Sequence, residues 1–348
     1  MMNVTGIYLG MADIHHEGNV SVNGTMGIEN NSALNTAINV FILAVLFTSM
    51  ISIGCTMEAY KIKNYLFNPK GAVIAMLSQF GIMPLTAFGL AKILKLDPIK
   101  ALTVLICGCS PGGNLSNIFS LAINGDMNLS IVMTTCSNIA AMVMMPLLLY
   151  IYSQGFPGLE RAVPYLGIIV TLILTLVPCA IGIAINHYKP HYSAVVKKVG
   201  FSILIICSII VFTLSAISVK DVFWMIIKPD VLCAGALLPL FGFILGYAIS
   251  AICRLSPQCS RTISMETGCQ NVNLCGAILK VAFPPNVIGA MFLFPLVYII
   301  FQCSEALFVI LCFRCYQKFK SPPQGTKIYS NEDIYQDSVK GLHQTIED

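Results

Sequence analysis

Of the 348 residues, the one with the sharpest chemical profile is Glu266, a carboxylate set in an apolar stretch running from about 264 to 282. If that stretch crosses a bilayer, the charge costs roughly 2.5–3.5 kcal/mol on insertion scales, which implies that it either coordinates a cation or takes up a proton. The plainer alternative is a place near the interface, with Glu266 paired to Arg261 five residues earlier. Gln270 follows one helical turn later on the same face, and its amide oxygen is a neutral ligand that hard cations accept. Asn271 then points elsewhere, toward a cavity.

Oxygen-bearing side chains recur in other apolar stretches. Ser116 and Asn117 follow a Pro-Gly-Gly break, and Ser130, Thr134 and Ser137 recur at i, i+4 and i+7, forming a hydroxyl stripe on one helix face. Such a set suits a small alkali cation, although Ser and Thr in membrane helices also bond to backbone or hold helices together. Gln79, alone in an apolar run, has the same two readings: ligand or interhelical hydrogen bond. Glu305 either lines a cavity or pairs near the bilayer edge. The Met residues 133, 142, 144 and 145 read as adaptable packing.

These residues need a membrane to carry them. The chain is 56% hydrophobic and only 10% charged, against about 25% charged in soluble domains. Apolar runs long enough to span a bilayer lie near 36–57, 71–93, 101–122, 129–152, 165–186, 199–218, 231–253, 264–282 and 287–313. The expectation is an all-α polytopic membrane protein of about nine transmembrane helices. Residues 1–35 form a polar tail with sequons at Asn3, Asn19, Asn23 and Asn30, acceptors on the lumenal side alone, which places the N-terminus outside. An odd number of spans then puts the C-terminal tail, 314–348, in the cytoplasm. The excess of Lys and Arg in the segments so placed inside, eleven against seven, agrees with the positive-inside rule.

Two runs are interrupted. Gly108-Cys-Ser-Pro-Gly-Gly-Asn-Leu-Ser-Asn117 contains Pro111, which lacks a backbone donor, and glycines that tolerate non-helical angles. Glu266-Thr-Gly-Cys-Gln-Asn-Val-Asn273 is the second interruption. Grouping spans one to four and six to nine as two units puts a broken helix third in each, and the units enter from opposite sides. Paired broken helices in inverted repeats are the sequence pointer to a transporter's midplane site.

The stretches Cys109–Asn117, Gly125–Cys136 and Ser264–Asn271, with Gly54–Glu58, Gln79–Pro84 and Phe283–Pro285, closely resemble the bile acid:sodium symporters. The resemblance covers nearly the whole membrane domain, 36–313. It implies nine spans, a panel of spans one, five and six moving against a core of the others, and two sodium ions where the broken helices cross. It assigns the first ion to Ser116, Asn117, Ser130, Thr134 and Glu266. The second goes to the side chains of Gln79 and Gln270 with backbone near Glu266 and Cys269. Asn271 and Gln302 would face the substrate, and Gly276 would join them in the cavity. The chain departs from the liver-type pattern at Asn273, Gly276, Ala277, Lys280 and Asn286, so two hydroxyls near the outer half of the eighth span are missing.

The function implied is sodium-coupled import of bile salts or related amphipathic organic anions by alternating access, with sodium as the co-transported ion and no cofactor. The expected setting is the plasma membrane, in contact with lipid and on the basolateral side of an epithelium. A paralogue specific for sulfated steroids and a non-transporting receptor are the alternatives. An intramembrane enzyme would need paired Asp, a Ser-His pair or His ligands, and no Asp or His lies inside the spans. With no run of more than two basic residues there is no nucleic-acid footprint. Most of the fourteen Cys lie in apolar runs and read as packing residues.

Overall fold

A computed structural model describes residues 32–56, 70–159, 163–218, 228–283 and 288–320. The four sequon asparagines, Glu58, Pro284 to Asn286 and the chain beyond Lys320 lie outside the described residues. Those described form helices joined by short turns, without a strand among them. Five helical segments are long and apolar enough to cross a membrane by length and composition: Lys70–Ile93, Met127–Ser153, Tyr165–Tyr188, Pro229–Ile252 and Met291–Phe319. The fold is that of a multi-pass membrane protein.

In chain order the helices are α1 (Ser32–Thr56), α2 (Lys70–Leu77), a π-helical turn (Ser78–Ile82), α3 (Met83–Ile93), α4 (Pro98–Gly108), α5 (Asn114–Ala122) and α6 (Met127–Ser153). Then follow α7 (Tyr165–Tyr188), α8 (Pro190–Ser218), α9 (Pro229–Ile252), α10 (Pro257–Gly268), α11 (Val272–Val281), a 3-10 turn (Gly289–Leu293) and α12 (Phe294–Lys320). Helical structure thus reaches into both segments read as tails, from Ser32 at one end and to Lys320 at the other.

Local chemistry sets the boundaries. Asp97 accepts from the backbone N–H of Lys100 at 3.1 Å, just ahead of Pro98 at the first helical position of α4. Asp126 accepts from the N–H groups of Asn128 and Leu129, both at 3.0 Å, to start α6. Ser256 caps α10, with Pro257 behind it. Each device satisfies N–H groups that a helix start leaves unpaired.

The exterior differs from that of a soluble protein, while the interior is a mostly apolar core that holds a polar cluster. Large apolar side chains face outward, among them Ile93, Val143, Leu166 and Phe319, while Gln79, Ser116, Ser130, Thr134, Glu266, Gln270 and Gln302 are buried. Helices α1, α7 and α8 pack on one another, and the broken helices lie among α2–α3, α6, α9 and α12, with α11 also packed on α1 and α7. The α1–α7 crossing is very close: a Cβ at Gly54 would stand 2.1 Å from the Cys179 carbonyl oxygen, with Gly182 Cα 2.9 Å away. Small residues permit such contact, which replaces hydrophobic drive inside lipid.

Substituting Gly54 by Val should therefore push α1 off α7 and cost about 3 kcal/mol or more, beyond ordinary overpacking because backbone is struck. Thermal unfolding of purified protein in detergent, with the surface fraction in cells, checks this; parental stability would show that the crossing can relax.

Candidate functional site

Both interrupted runs break, and the breaks meet. Helix α4 ends at Gly108 and α5 begins at Asn114; α10 ends at Gly268 and α11 begins at Val272. The intervening backbones run antiparallel through a single bridge between Gly112 and Gln270. Gly113 N–H donates to the Cys269 carbonyl at 3.0 Å, and Asn271 N–H donates to the Pro111 carbonyl at 2.9 Å. Each break satisfies groups that the other exposes, which is the condition for unwound backbone inside a bilayer. The approach requires glycine: a Cβ at Gly113 would lie 2.7 Å from the Gln270 carbonyl oxygen. Tyr298, fully buried on α12, donates to the Gly268 carbonyl at 2.9 Å and closes the end of α10.

Glu266 sits beside this crossing, buried. One carboxylate oxygen, Oε1, accepts from Ser116 at 2.7 Å, Ser130 at 2.5 Å and Thr134 at 3.3 Å; Thr134 also reaches Oε2 at 3.1 Å. Ser130 stands 2.8 Å from Asn117 Oδ1, and Ser116 stands 2.6 Å from the Gly113 carbonyl oxygen. The three hydroxyls hold one proton each. Between them they face both carboxylate oxygens, Asn117 Oδ1 and the carbonyls of Gly113 and Ser130. Lone pairs outnumber protons. The ion pairs given by the described residues join Lys100 to Asp97 and Asp230 at the start of α4, so none neutralises Glu266. Arg261 instead donates to the Asn124 carbonyl at 2.6 Å, which removes the surface-pair alternative for Glu266. A buried carboxylate among excess oxygens is chemistry that a hard cation fits.

A second polar cluster adjoins it. Gln79 Nε2 donates to the Ser110 carbonyl and to Gln270 Oε1, both at 2.8 Å. Gln270 in turn donates from Nε2 to the Thr267 carbonyl at 2.8 Å, and its backbone N–H donates to Gln302 Oε1 at 3.1 Å. Gln79 is aimed inward by the π-helical turn. Pro84 lacks the N–H that would serve Phe80 four residues earlier, and a wider turn at Ser78–Ile82 absorbs that defect.

Gln302 and Gln270 also border a small cavity open to the outside, together with Ser49 and Ser52 of α1, Asn114, Asn271 and Asn273. Asn271 Oδ1 caps α11 by accepting from the Leu274 N–H at 3.1 Å. Asn271 Nδ2, Gln302 Nε2 and Asn114 Oδ1 have no protein partner among the described residues. Two donors and an acceptor of the cavity's residues are thus buried without a partner.

The residues expected together are therefore together, with particular exceptions. Ser137 is drawn away from the carboxylate to accept from Gly112 N–H at 3.2 Å. Cys269 contributes its carbonyl, already taken by Gly113, while its side chain packs with Phe243 and Met265. Gly276 is not among the residues lining the cavity. Glu305 neither lines it nor forms an ion pair, and its Oε2 is enclosed without a partner among the described residues. Sequence reasoning missed Tyr298 and the bond from Gln270 to Gln302; a tyrosine in an apolar run carried no signal beyond its need for a partner.

Broken helices crossing beside a buried carboxylate, inside a fold with an apolar exterior, define the architecture of a secondary transporter. The profile of the Sodium Bile acid symporter family matches residues 43–222. The chain is 52% identical over 307 residues to the hepatic sodium/bile acid cotransporter of Homo sapiens, covering 88% of each protein, and 50% identical over 318 residues to that of Rattus norvegicus. It is 33% identical over 305 residues to the sodium-dependent organic anion transporter of Homo sapiens, covering 87% of this chain and 80% of the relative. The chain belongs to the sodium bile acid symporter family.

Replacing Gln79 by Leu would orphan the Ser110 carbonyl and Gln270 Oε1, at about 1–3 kcal/mol for each buried group left unpaired. The melting temperature in detergent should fall by several degrees. Equal melting for Leu and the parent would assign Gln79 no part in holding the crossing.

Proposed function

We propose that this chain is a sodium-coupled symporter importing bile salts, or closely related amphipathic organic anions, by alternating access. The observation that carries this is the buried Glu266 carboxylate, surrounded by more oxygen lone pairs than protons and given no countercharge. Sodium downhill supplies the missing charge and the driving force together. The substrate class follows from relatives matched over most of the chain, whose names specify bile acid. Those relatives are named as cotransporters, and the chain is a transporter rather than an enzyme.

In this reading the first sodium is held by Ser116, Asn117, Ser130, Thr134 and Glu266. The second is held by Gln79 and Gln270 with carbonyls near Glu266 and Cys269. The substrate occupies the cavity beside Asn271 and Gln302, where unpaired amide donors suit an anion or a steroid hydroxyl. The membrane domain has nine spans: α1, α2–α3, α4–α5, α6, α7, α8, α9, α10–α11 and α12. Helices α1, α7 and α8 form the moving panel and the rest the core. The N-terminus, glycosylated at one or more of Asn3, Asn19, Asn23 and Asn30, faces outside at the plasma membrane, and the C-terminus faces the cytoplasm. Sulfated steroids are the second reading for the substrate.

Sodium-dependent uptake of labelled taurocholate in cells expressing the chain tests the proposal. Glu266→Gln should reach the surface, since its amide oxygen still accepts from the hydroxyls, yet lose sodium-driven uptake; Gln270→Ala should need several times more sodium for half-maximal uptake. Ordinary sodium activation in Glu266→Gln would remove the ion site from this position.

A further inference from the structure

The half-buried positions of α11 form a stripe. Asn273, Gly276 and Lys280 follow at i, i+3 and i+7, on the face opposite the buried Leu274, Cys275 and Ile278. At its lower end the stripe joins the cavity, because Asn273 lines it with Ile299 of α12. In the middle there is room: a Cβ built on Gly276 meets nothing within 4 Å. At the upper end the Lys280 ammonium lies 4.3 Å from the centroid of the Phe292 ring. Phe292 precedes Ile299 by seven positions, and it and Leu296 both pack against Leu293. Two antiparallel elements therefore face each other, one polar and ending in a cation, the other apolar.

Lys280 has no carboxylate partner among the described residues. A lysine at a helix end in a membrane commonly extends its ammonium to water. This one is half-buried and folded over an aromatic face, an arrangement that keeps a charge in place while leaving its donors free. A free ammonium at the end of a polar stripe, beside apolar side chains, is matched by a molecule with an apolar body and one anionic end.

We propose that Lys280 is a specificity-determining residue that binds the anionic group of the transported molecule, whose apolar body lies along Phe292, Leu296 and Ile299 above the cavity. The proposal rests on the symport reading above and adds to it the residue that selects an anion.

The experiment compares taurocholate uptake at saturating sodium for the parent, Lys280→Gln and Lys280→Arg, normalised to surface protein. Lys280→Gln should raise KM about tenfold, as loss of a charge-assisted hydrogen bond does, while the sodium concentration for half-maximal uptake stays at the parental value. Lys280→Arg should restore most of the affinity. If Lys280→Gln is lost from the surface, Lys280→His read at pH 5.5 and pH 8 supplies both charge states in one protein, since histidine titrates near about 6.5. Its KM should then be lower at pH 5.5 by a factor the parent does not show. An unchanged KM in Lys280→Gln, or the parental pH response in Lys280→His, would overturn the proposal and leave Lys280 as an interfacial lysine. Absence of sodium-driven uptake in the parent would instead defeat the symport reading, and this assignment with it.

Discussion

A carboxylate without a countercharge, sealed among helices, is the constraint on which the rest of the structure depends. Burying an unpaired ion costs several kcal/mol even after relaxation. Three hydroxyls soften that cost at Glu266, but they share too few protons among too many oxygens to remove it. The side chains that line the site come from α5, α6 and α10, elements distant in sequence. In the symport reading, a cation bound there ties those elements together more firmly than the three hydroxyl hydrogen bonds do alone.

The crossing of the two breaks converts this local problem into a mechanism. Neither break could persist in a bilayer alone, since each would leave backbone groups unsatisfied. Gly113 to Cys269 and Asn271 to Pro111 satisfy them mutually, so each break specifies the position of the other. Gln270 is the shared element: its side chain meets Gln79, its backbone pairs with Gly112 and Gln302, and Gln302 lines the cavity. In the symport reading, that chain of contacts is the physical route by which ion occupancy biases the substrate site, through a differential stabilisation of one arrangement.

Much of this was legible in the sequence, for reasons that can be named. Apolar runs gave the helices, because a bilayer leaves few other solutions. Pro111 with its glycines gave one break, and the polar run after Glu266 gave the other. The hydroxyl stripe of Ser130 and Thr134 followed from helical periodicity, and Ser116 and Asn117 from their place after the break. What stayed hidden depends on contacts distant in sequence or on backbone departures from regular helix. Gln79 looked like a lone amide until the π-helical turn aimed it at Gln270. Ser137 belonged to the stripe by periodicity but was taken by Gly112 N–H. Gly276 was placed in the substrate cavity by the family resemblance, yet it lies one turn beyond Asn273, outside the cavity's lining.

Whether a sodium ion completes the Glu266 site can be measured without transport. Purified protein is unfolded by heat in detergent, in sodium chloride and in potassium chloride at equal concentration, for the parent and for Glu266→Gln. An ion bound only by the folded state stabilises it by RT ln(1 + [L]/Kd), about 2.7 kcal/mol at a hundredfold excess over Kd, or roughly 4 °C for a chain of this length. The parent should show that rise in sodium alone, and Glu266→Gln should lose most of it. Identical melting of the parent in both salts, or an undiminished sodium effect in the variant, would contradict a sodium site at Glu266.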